Sequence, residues 1–378
     1  MKHIAVVYHD RCPDGLASAM LVKGYLEDLM SVKIKFFPIG YQDSLQTLQS
    51  VKAYLNDVKD EHKPLSPGLE PHYLDVIFLD YTPSREAVIA TLSKKFILII
   101  DHHDEARIKF KKEGHGQGLL SEYVAFAFEN NAGKKCSATA MTASWLKLIN
   151  KDTISYDERS LWIVNKNLTH LETDLYLFLE QNNVLESLSH GEFYTAINDY
   201  DTWELEVADS PNIYNGFRII AARYKWDLDT IMRNIPADVR QFIDMCKSLW
   251  LGSVMIMGEC IAGAKHYPSQ ENPVVTFVNA PKSLASEIAR HLHDTTTTTV
   301  VVVYQENLAK GIQELSIRTA HGTPIKALEI AKLFGGGGHE HAAGAILAYE
   351  GRFDMSQVLG DVGIYVMEYI VETLNPRK

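Results

Sequence analysis

The chain has 378 residues, of which 46% are hydrophobic, and its 37 basic and 48 acidic side chains give a formal net charge of −11. This length and composition can bury the cores of two or three domains, which excludes intrinsic disorder and a small disulfide scaffold. The negative charge and the pI near 5.8 argue against broad electrostatic binding to long nucleic acid, because that binding needs a basic face. Length and charge therefore indicate a soluble enzyme that acts on a small substrate.

Four cysteines stand far apart in the sequence, at Cys12, Cys136, Cys246 and Cys260. Because no two of them form a CxxC pair, their spacing indicates neither a structural zinc site nor a disulfide framework. The N-terminus lacks the apolar pattern of a secretory signal peptide, and the longest apolar runs are too short to span a membrane. The sequence therefore predicts a cytoplasmic protein without a membrane partner.

Residues 1–105 alternate short apolar runs with helical periodicity. Continuous apolar runs predict buried strands over residues 4–8, 32–37, 75–79 and 96–100. Between these runs, apolar spacing predicts helices over residues 16–29 and 45–58, and Pro83 begins a third helix. This alternating order predicts a largely parallel sheet in an α/β domain.

The remainder of the chain is predicted to be helical first and then to return to strands. Residues 137–200 are mainly helical in pattern, and residues 206–255 continue with helical periodicity. Strands are predicted at residues 274–278, 300–304 and 314–318, with a helix over 283–292. The sequence thus predicts an α/β protein with a parallel-sheet catalytic domain (1–205), a helical connector (206–255) and a smaller α/β substrate-binding domain (256–378). The active site is expected in a cleft between the two domains.

Acidic and imidazole side chains follow three of the predicted strands at the point where each strand ends. In an open parallel sheet this edge is where ligands bind, because the loops converge there at the switch in strand order. Carboxylate and imidazole ligands favour Mn²⁺ or a similar cation, and two such cations can activate a water for attack on a phosphate. The predicted metal ligands are His9, Asp10, Asp14, Asp80, His102 and Asp201.

Several of these residues also have a purely structural interpretation. Asp10 can be a turn residue, and Asp14 precedes a glycine in a common turn dipeptide. The consecutive Asp101, His102 and His103 are harder to explain in this way. Burying three titratable groups beside a core strand is costly unless they are paired or bound to a metal. The combined pattern therefore favours a functional site.

Two motifs resemble those of a known superfamily. Asp-His-His at residues 101–103 after a hydrophobic strand, with the earlier Asp14-Gly15 turn and the lone Asp80, resembles the DHH phosphoesterases. The glycine-rich sequence with His339 at residues 335–344 resembles their DHHA1 substrate-binding domain. Together the two signatures cover nearly the whole chain in the expected order. The resemblance implies a Mn²⁺-dependent hydrolase with two ions, for which Mg²⁺ or Co²⁺ can substitute.

The resemblance also implies a role for individual residues. Asp80 would bridge the two ions, His103 would contact the scissile phosphate, and Asp101 would orient the imidazoles. The other metal ligands would include Asp10, Asp14, His102 and Asp201, with Asp199 as the reserve for the last position. In the DHHA1 domain, an arginine can grip phosphate bidentately and glycines expose backbone N–H groups to an anion. The implied substrate contacts there are Arg318, Gly336, Gly337, Gly338 and His339.

The sequence departs from the superfamily at its first motif, where many members carry a further acid. The positions two before and two after Asp14 hold Cys12 and Leu16. Three alternatives are open for that metal: Cys12 is a softer ligand, His9 replaces the acid, or the metal binds more weakly. Cys12 can equally be a small buried residue under the edge of the sheet.

The leading functional hypothesis is a phosphodiesterase that hydrolyses dinucleotides or very short linear oligonucleotides, such as pGpG or nanoRNA, to mononucleotides. The absence of basic tracts favours such substrates over long nucleic acid. The alternatives are a phosphatase of 3′-phosphoadenosine-5′-phosphate or another small nucleotide, and a non-catalytic nucleotide-binding protein. A homodimer is compatible with each of these functions.

Overall fold

The computed structural model describes residues 2–26, 32–40, 44–57, 75–92, 95, 97–103, 124–127, 136–152, 185, 188, 190–267, 274–307, 309–348, 363–364 and 368. Parts of three predicted helical regions, including residues 27–29, 58 and 153–184, and residue 96 of a predicted strand lie outside these ranges. The chain divides into two compact units, Met1–Leu251 and Gly252–Lys378. The predicted domain boundaries at residues 205 and 255 stay predictions.

A parallel five-stranded sheet lies at the centre of the first unit. Its strands are β1 (Lys2–His9), β2 (Val32–Ile39), β3 (Val76–Leu79), β4 (Ile97–Ile100) and β5 (Val124–Ala127), in the order β2-β1-β3-β4-β5. All four neighbouring pairs are parallel. The strand order reverses between β1 and β3, and a sheet of this order offers a ligand site at the carboxyl ends of those two strands.

Helices cover both faces of this sheet. They are α1 (Pro13–Leu26), α2 (Ser44–Asn56), α3 (Arg85–Leu92), α4 (Ala138–Asp152), α5 (Gly191–Asp201), α6 (Ser210–Arg223), α7 (Leu228–Asn234) and α8 (Val239–Ala262). Successive side chains of a strand point to opposite faces, so Ile4 and Val6 enter one core with α1 and α4–α8. Ala5 and Val7 enter a second core with α2 and α3. Burial on both faces explains the unbroken apolar runs of these strands.

Helices α6 and α8 approach closely at Gly216. A Cβ atom at this position would lie 1.9 Å from the backbone oxygen of Cys246, so a larger residue would push the helices apart. Phe217 of α6 and Phe242 of α8 are both fully buried in the same core as β1. Residues 210–246, within the region predicted to connect two lobes, therefore contribute to the core of the first unit.

Helix α8 has 24 residues and crosses the boundary between the two units. With a mean hydropathy of 1.3 over an 18-residue window, it is the one helix among the described residues that is long and apolar enough to cross a membrane. That property rests on length and composition, and core helices share it. Phe242, Cys246 and Trp250 are buried side chains of its first half.

The second unit contains a six-stranded mixed sheet. Its strands are β6 (Lys265–Tyr267), β7 (Val275–Asn279), β8 (Val300–Asn307), β9 (Ile312–Thr319), β10 (Gly337–Gly338) and β11 (Ala342–Ala348), in the order β10-β11-β9-β8-β7-β6. Only β7 and β8 pair in parallel among these. A 3₁₀ turn (Lys282–Leu284) precedes α9 (Ala285–Thr295), and α10 (Ala327–Leu333) packs in the core. The predicted fold class, α/β with a parallel-sheet N-terminal part and a smaller α/β part, is confirmed.

Candidate active site

Three loops bring the candidate residues together at the carboxyl edge of the parallel sheet. His9 is the last residue of β1, Asp80 follows β3 directly, and residues 101–103 follow β4. These strands are neighbours in the sheet, so their carboxyl ends lie side by side. Asp14 is supplied by the first turn of α1 and Asp201 by the last turn of α5.

The fully buried carboxylate of Asp80 lies at the centre of the site. Its Oδ2 is 3.3 Å from Nδ1 of His9, and its Oδ1 is 3.3 Å from Nε2 of His102. Burial opposes the charge of this carboxyl, but hydrogen bonding and charge from the two imidazoles hold the pKa of Asp80 below its ordinary value. Asp80 also has a left-handed backbone with a φ of 56°. Such conformations cost of order 1–3 kcal/mol and cluster at functional sites.

His102 connects Asp80 with two further carboxylates. Its Nε2 lies 3.2 Å from Oδ2 of Asp201 and 3.8 Å from Oδ2 of Asp14. Burial opposes a charge on the ring, but contact with Asp80 and the charges of Asp14 and Asp201 raise the pKa of His102 to about 10. We call these four residues, Asp14, Asp80, His102 and Asp201, the acid–imidazole cluster.

The acids of this cluster repel one another. Burial and the nearby Asp80 raise the pKa of Asp14. Burial together with Asp14 and Asp80 raises the pKa of Asp201 well above its ordinary value. One protonated imidazole cannot neutralise three neighbouring carboxylates, so the cluster favours additional positive charge.

Among the described residues, three overlapping groups of ligand atoms could hold a metal ion. Within each group the atoms lie within 4.8 Å of one another, and the groups are His9–Cys12–Asp80, Asp80–His102–His103 and Asp14–His102–Asp201. Oδ1 of Asp80 is buried and lies 3.3 Å from Nε2 of His102 and 3.7 Å from Nδ1 of His103, without a hydrogen bond of regular geometry to either of these described rings. Buried carboxylates are costly unless cations lie beside them, and one imidazolium offsets only part of the charge of the three cluster acids. The donor set and this oxygen fit a pair of divalent cations.

His103 is held by its neighbour Asp101. Nδ1 of His103 lies 2.6 Å from Oδ1 of Asp101, which also accepts the backbone N–H of His103 at 3.1 Å. The hydroxyl of Thr82 donates to the other Asp101 oxygen at 2.5 Å. The hydrogen bond to Asp101 raises the pKa of His103 although partial burial opposes it. Nδ1 therefore donates its proton to the Asp101 carboxylate, and in the protonated ring, which the raised pKa favours, Nε2 carries a second proton that this partly exposed side chain can present to a substrate.

Asp14 has a second, structural role at the start of α4. Its two carboxylate oxygens accept the backbone N–H groups of Ala138 at 2.7 Å and Thr139 at 2.9 Å. These N–H groups lack partners within the helix, and the positive end of the helix dipole favours an anion there. Asp14 therefore joins the beginning of α1, the beginning of α4 and the acid–imidazole cluster.

Asp199 and Asp201, the two candidates for the last acid, lie in different surroundings. The structure brings Asp201 into the cluster, where the hydroxyl of Tyr214 donates to its Oδ1 at 3.2 Å. Asp199 instead accepts the backbone N–H of Glu206 at 2.8 Å and a short hydrogen bond from the hydroxyl of Ser210. Asp199 thus organises the loop that leads from α5 to α6.

The structure does not bring Asp10 into any of the metal-binding groups found among the described residues. Its carboxylate lies 3.4 Å from Nε of Arg11 and is partly exposed. Neighbouring side chains at a strand end point to opposite sides, so His9 faces the cluster and Asp10 does not. Cys12, which occupies the position of the missing acid, lies with His9 instead. Burial and the nearby acids raise the pKa of the Cys12 thiol well above its ordinary value.

Two polar contacts of the site have no signal in the sequence. Tyr214 lies within α6 and Thr82 in the loop after β3, and neither belongs to one of the acidic motifs. Both contribute through hydroxyl groups that donate to site carboxylates. Their roles become visible only when the fold places them beside Asp201 and Asp101.

In the second unit, the glycine-rich sequence forms strand β10 and its approaches. A Cβ atom at Gly336 would lie 2.1 Å from the backbone oxygen of Gly344, and one at Gly338 would lie 2.6 Å from Cα of Ala343. These two glycines are therefore required by the close approach of β10 to β11. Gly337 has no atom near its Cβ position and is exposed, which leaves its backbone accessible.

The predicted substrate contacts Arg318 and His339 both lie near β11. Arg318 in β9 pairs with Ala342 of β11, and its Nη1 donates to the backbone oxygen of Ile317 at 3.0 Å. Burial lowers the pKa of Arg318. His339 is exposed, and its backbone N–H and carbonyl both bond to Ala342. A role of these residues in substrate binding stays a prediction.

Comparisons with known proteins bear on the fold. No family model and no curated protein matches the chain. A solved DHH-domain protein, described as a member of a family of ribosomal proteins, is 14% identical and gives a TM-score of 0.52, with 97% of this chain and 87% of that chain covered. An exopolyphosphatase-related protein from Bacteroides fragilis is 14% identical with a TM-score of 0.44, and the match covers 98% and 92% of the two chains. A pGpG-specific phosphodiesterase from Vibrio cholerae is 12% identical with a TM-score of 0.37, covering 99% and 100%.

At these identities a structural likeness concerns the fold alone, and only the first of the three TM-scores exceeds 0.5. That match extends over nearly the whole chain, in agreement with the order of the two sequence motifs. The fold that the resemblance implies is therefore confirmed: this chain shares its fold with a solved DHH-domain protein.

Proposed function

We propose that this chain is a divalent-metal-dependent phosphodiesterase that hydrolyses dinucleotides or very short linear oligonucleotides, such as pGpG or nanoRNA, to mononucleotides. The observation that carries the proposal is the acid–imidazole cluster at the carboxyl edge of a parallel sheet with the DHH-domain fold. Buried carboxylates this close together require compensating charge. Two divalent cations, when bound, would supply that charge, lower the pKa of a water and neutralise a phosphate.

The metal ligands proposed are the members of the cluster together with His9. Asp80 contacts His9 through Oδ2 and His102 through Oδ1, and these two imidazoles belong to different metal-binding groups. This arrangement suits a carboxylate that two ions share. Most of the donors are oxygen and imidazole nitrogen, and this chemistry suits Mn²⁺, with Mg²⁺ or Co²⁺ as substitutes. Asp10 is not included, because its carboxylate lies with Arg11.

His103 is the proposed catalytic residue that contacts the phosphate. Asp101 orients the ring of His103 through Nδ1 and raises its pKa, which favours the protonated form. The Nε2–H group can then donate to a phosphate oxygen or protonate the leaving oxygen. Asp101 acts as a positioning residue, and Thr82 fixes the second oxygen of Asp101.

The substrate is proposed to be small. The chain carries a formal charge of −11, which disfavours contact with a long phosphate backbone and favours a short nucleotide whose charge the metals offset. In the second unit, Arg318, His339 and the exposed backbone of Gly337 are the proposed nucleotide contacts, since guanidinium and N–H groups recognise phosphate. We also propose that the protein works in the cytoplasm.

The test is a substrate panel with purified protein and Mn²⁺, read by chromatography. It contains a 5′-phosphorylated dinucleotide, longer oligonucleotides, 3′-phosphoadenosine-5′-phosphate and inorganic pyrophosphate. We expect mononucleotides from the dinucleotide and slower release from longer chains. His103→Ala should reduce the rate by about 10²- to 10⁴-fold, the usual contribution of a general acid.

The matched control is His291→Ala, which removes an exposed imidazole of α9 and should leave the rate unchanged. Circular dichroism checks that both variants remain folded. Fast turnover of 3′-phosphoadenosine-5′-phosphate with an inert dinucleotide would replace the diesterase by a phosphomonoesterase. A protein that binds no divalent metal would be non-catalytic, and the proposal would be wrong.

A further inference from the structure

Cys12 lies in the loop that connects β1 to α1, at the position where the first motif lacks an acid. The loop is closed tightly, because Leu16 donates its backbone N–H to the Cys12 carbonyl at 3.0 Å. A Cβ atom at Gly15 would lie 2.8 Å from the backbone oxygen of His9, so the glycine lets the loop fold back onto the end of β1. This geometry holds the Cys12 side chain beside His9.

Sγ of Cys12, a ring nitrogen of His9 and a carboxylate oxygen of Asp80 lie within 4.8 Å of one another. Three donor atoms at this separation suit one cation. On this side of Asp80 the fully buried carboxylate turns its Oδ2 towards His9, at 3.3 Å from Nδ1 of that ring. A small apolar filler at position 12 would have no need of a buried carboxylate and an imidazole beside it, whereas a metal ligand would.

We propose that the Cys12 thiolate, His9 and Asp80 coordinate one of the two cations, which gives that position a mixed sulfur, nitrogen and oxygen donor set. The thiol proton leaves to solvent as the metal–sulfur bond forms. This inference rests on the proposed function, because it assigns the ligands of one of its two ions. Of the three alternatives that the sequence leaves open, the first two then hold together: Cys12 and His9 both bind the metal that lacks its usual acid.

The two cation positions then differ in chemistry. The position held by Asp14, His102 and Asp201, with Asp80 shared, offers only oxygen and nitrogen donors and suits a hard cation such as Mn²⁺. The Cys12 position offers a thiolate, which favours Zn²⁺ or Co²⁺ over Mn²⁺. The protein is therefore predicted to bind two different metals when both kinds are supplied.

The test is reconstitution of the metal-free full-length protein with Co²⁺ alone, followed by near-ultraviolet absorption and elemental analysis. A thiolate bound to Co²⁺ gives an intense sulfur-to-metal charge-transfer band that nitrogen and oxygen ligands do not give. We expect the band in the wild-type protein. Cys12→Ser and Cys12→Asp should both lose it, and Cys12→Asp should still bind two equivalents of Co²⁺ because it restores the acid.

The matched control is Cys260→Ser on α8, which removes a thiol that belongs to none of the described metal-binding groups and should keep the band. If Cys12→Ser fails to fold, Cys12→Asp with circular dichroism carries the comparison. Bound Co²⁺ without the band in the wild-type protein would overturn this inference and leave the proposed function standing. Absence of any bound Co²⁺ would overturn both.

Discussion

Asp199 and Asp201 are two residues apart in α5, yet the two carboxylates are used in opposite ways. The side chain of Asp199 is supplied with donors by its own loop, from the backbone N–H of Glu206 and the hydroxyl of Ser210. The side chain of Asp201 faces His102 and other acids, with Tyr214 as its hydroxyl donor. The carboxylate of Asp199 stabilises a loop, whereas that of Asp201 belongs to a group in which one imidazole faces three acids.

This difference separates a structural acid from a candidate metal ligand by a physical criterion. A buried carboxylate whose oxygens accept hydrogen bonds from neutral groups can remain charged without a cation. Buried carboxylates that face one another raise each other's pKa values, as Asp14 and Asp201 do. Removing an acid should therefore lower stability in the first case and lower metal binding in the second.

The largest effect on metal binding and on hydrolysis is expected for the substitution Asp80→Asn. Because Asp80 contacts both imidazoles, its loss should release metal and reduce hydrolysis by more than the about 10- to 100-fold typical of residues that only orient ligands. The metal-free variant should be less stable than the wild-type protein, because the two imidazoles hold the pKa of Asp80 below its ordinary value and its charge therefore stabilises the folded state. Elemental analysis, the dinucleotide assay and thermal unfolding measure the three quantities.

Asp209→Asn is the matched control for that experiment, because it makes the same chemical change at a partly exposed acid paired with Lys247. It should leave metal content and activity unchanged. An Asp80→Asn protein that retained two metal ions and full activity would remove Asp80 from the site.

The next effect concerns Asp199→Ala. This change leaves the N–H of Glu206 and the hydroxyl of Ser210 without their acceptor, and the free energy of unfolding should fall by about 1–3 kcal/mol. The metal content of the folded protein should stay at the wild-type value. Urea denaturation measures the first quantity and elemental analysis the second. Normal stability together with lost metal would reverse the roles of the two acids.

The smallest expected effect is the change with pH in the free energy of unfolding of the metal-free protein. The cluster raises the pKa of His102 from 6.5 to about 10, so the protonated ring stabilises the folded state fully below pH 6.5. That contribution is lost as the pH rises towards 10. The free energy of unfolding, measured in urea with a chelator present, should fall over this interval. His102→Asn should reduce the slope, and His291→Ala should keep it; equal slopes in all three proteins would contradict the assignment.

Much of the first unit could be predicted from the sequence because its local and tertiary signals agree. The strands over residues 4–8, 32–37 and 75–79 are covered on both faces, so their apolar runs are unbroken. Strand β5 is not predicted, because the Val-Ala-Phe-Ala sequence of Val124–Ala127 contains two alanines and lacks the run of strongly strand-forming residues that marks β3 and β4. In the second unit, β10 is visible in the sequence only as a glycine-rich motif, because Gly337 and Gly338 carry no side chains that could indicate a strand.

The sequence predicts those residues of the site that lie at the carboxyl ends of strands. Asp80 and residues 101–103 lie where the parallel sheet requires them, at neighbouring carboxyl ends. The sequence could not separate His9 from Asp10, because a shift of one residue decides which side chain faces the cluster. Nor could it supply Tyr214, whose contact with Asp201 depends on the packing of α6 against α5.

Asp14 carries one further consequence of the arrangement. Its Oδ2, which lies 3.8 Å from Nε2 of His102, also accepts the N–H group of Ala138, and its Oδ1 accepts that of Thr139. Any cation drawn to Asp14 competes with those peptide groups for the electron density of a single carboxylate. Binding and release of metal should therefore change the hydrogen bonds at the N-terminus of α4, and the NMR amide signals of Ala138 and Thr139 would report whether metal is bound.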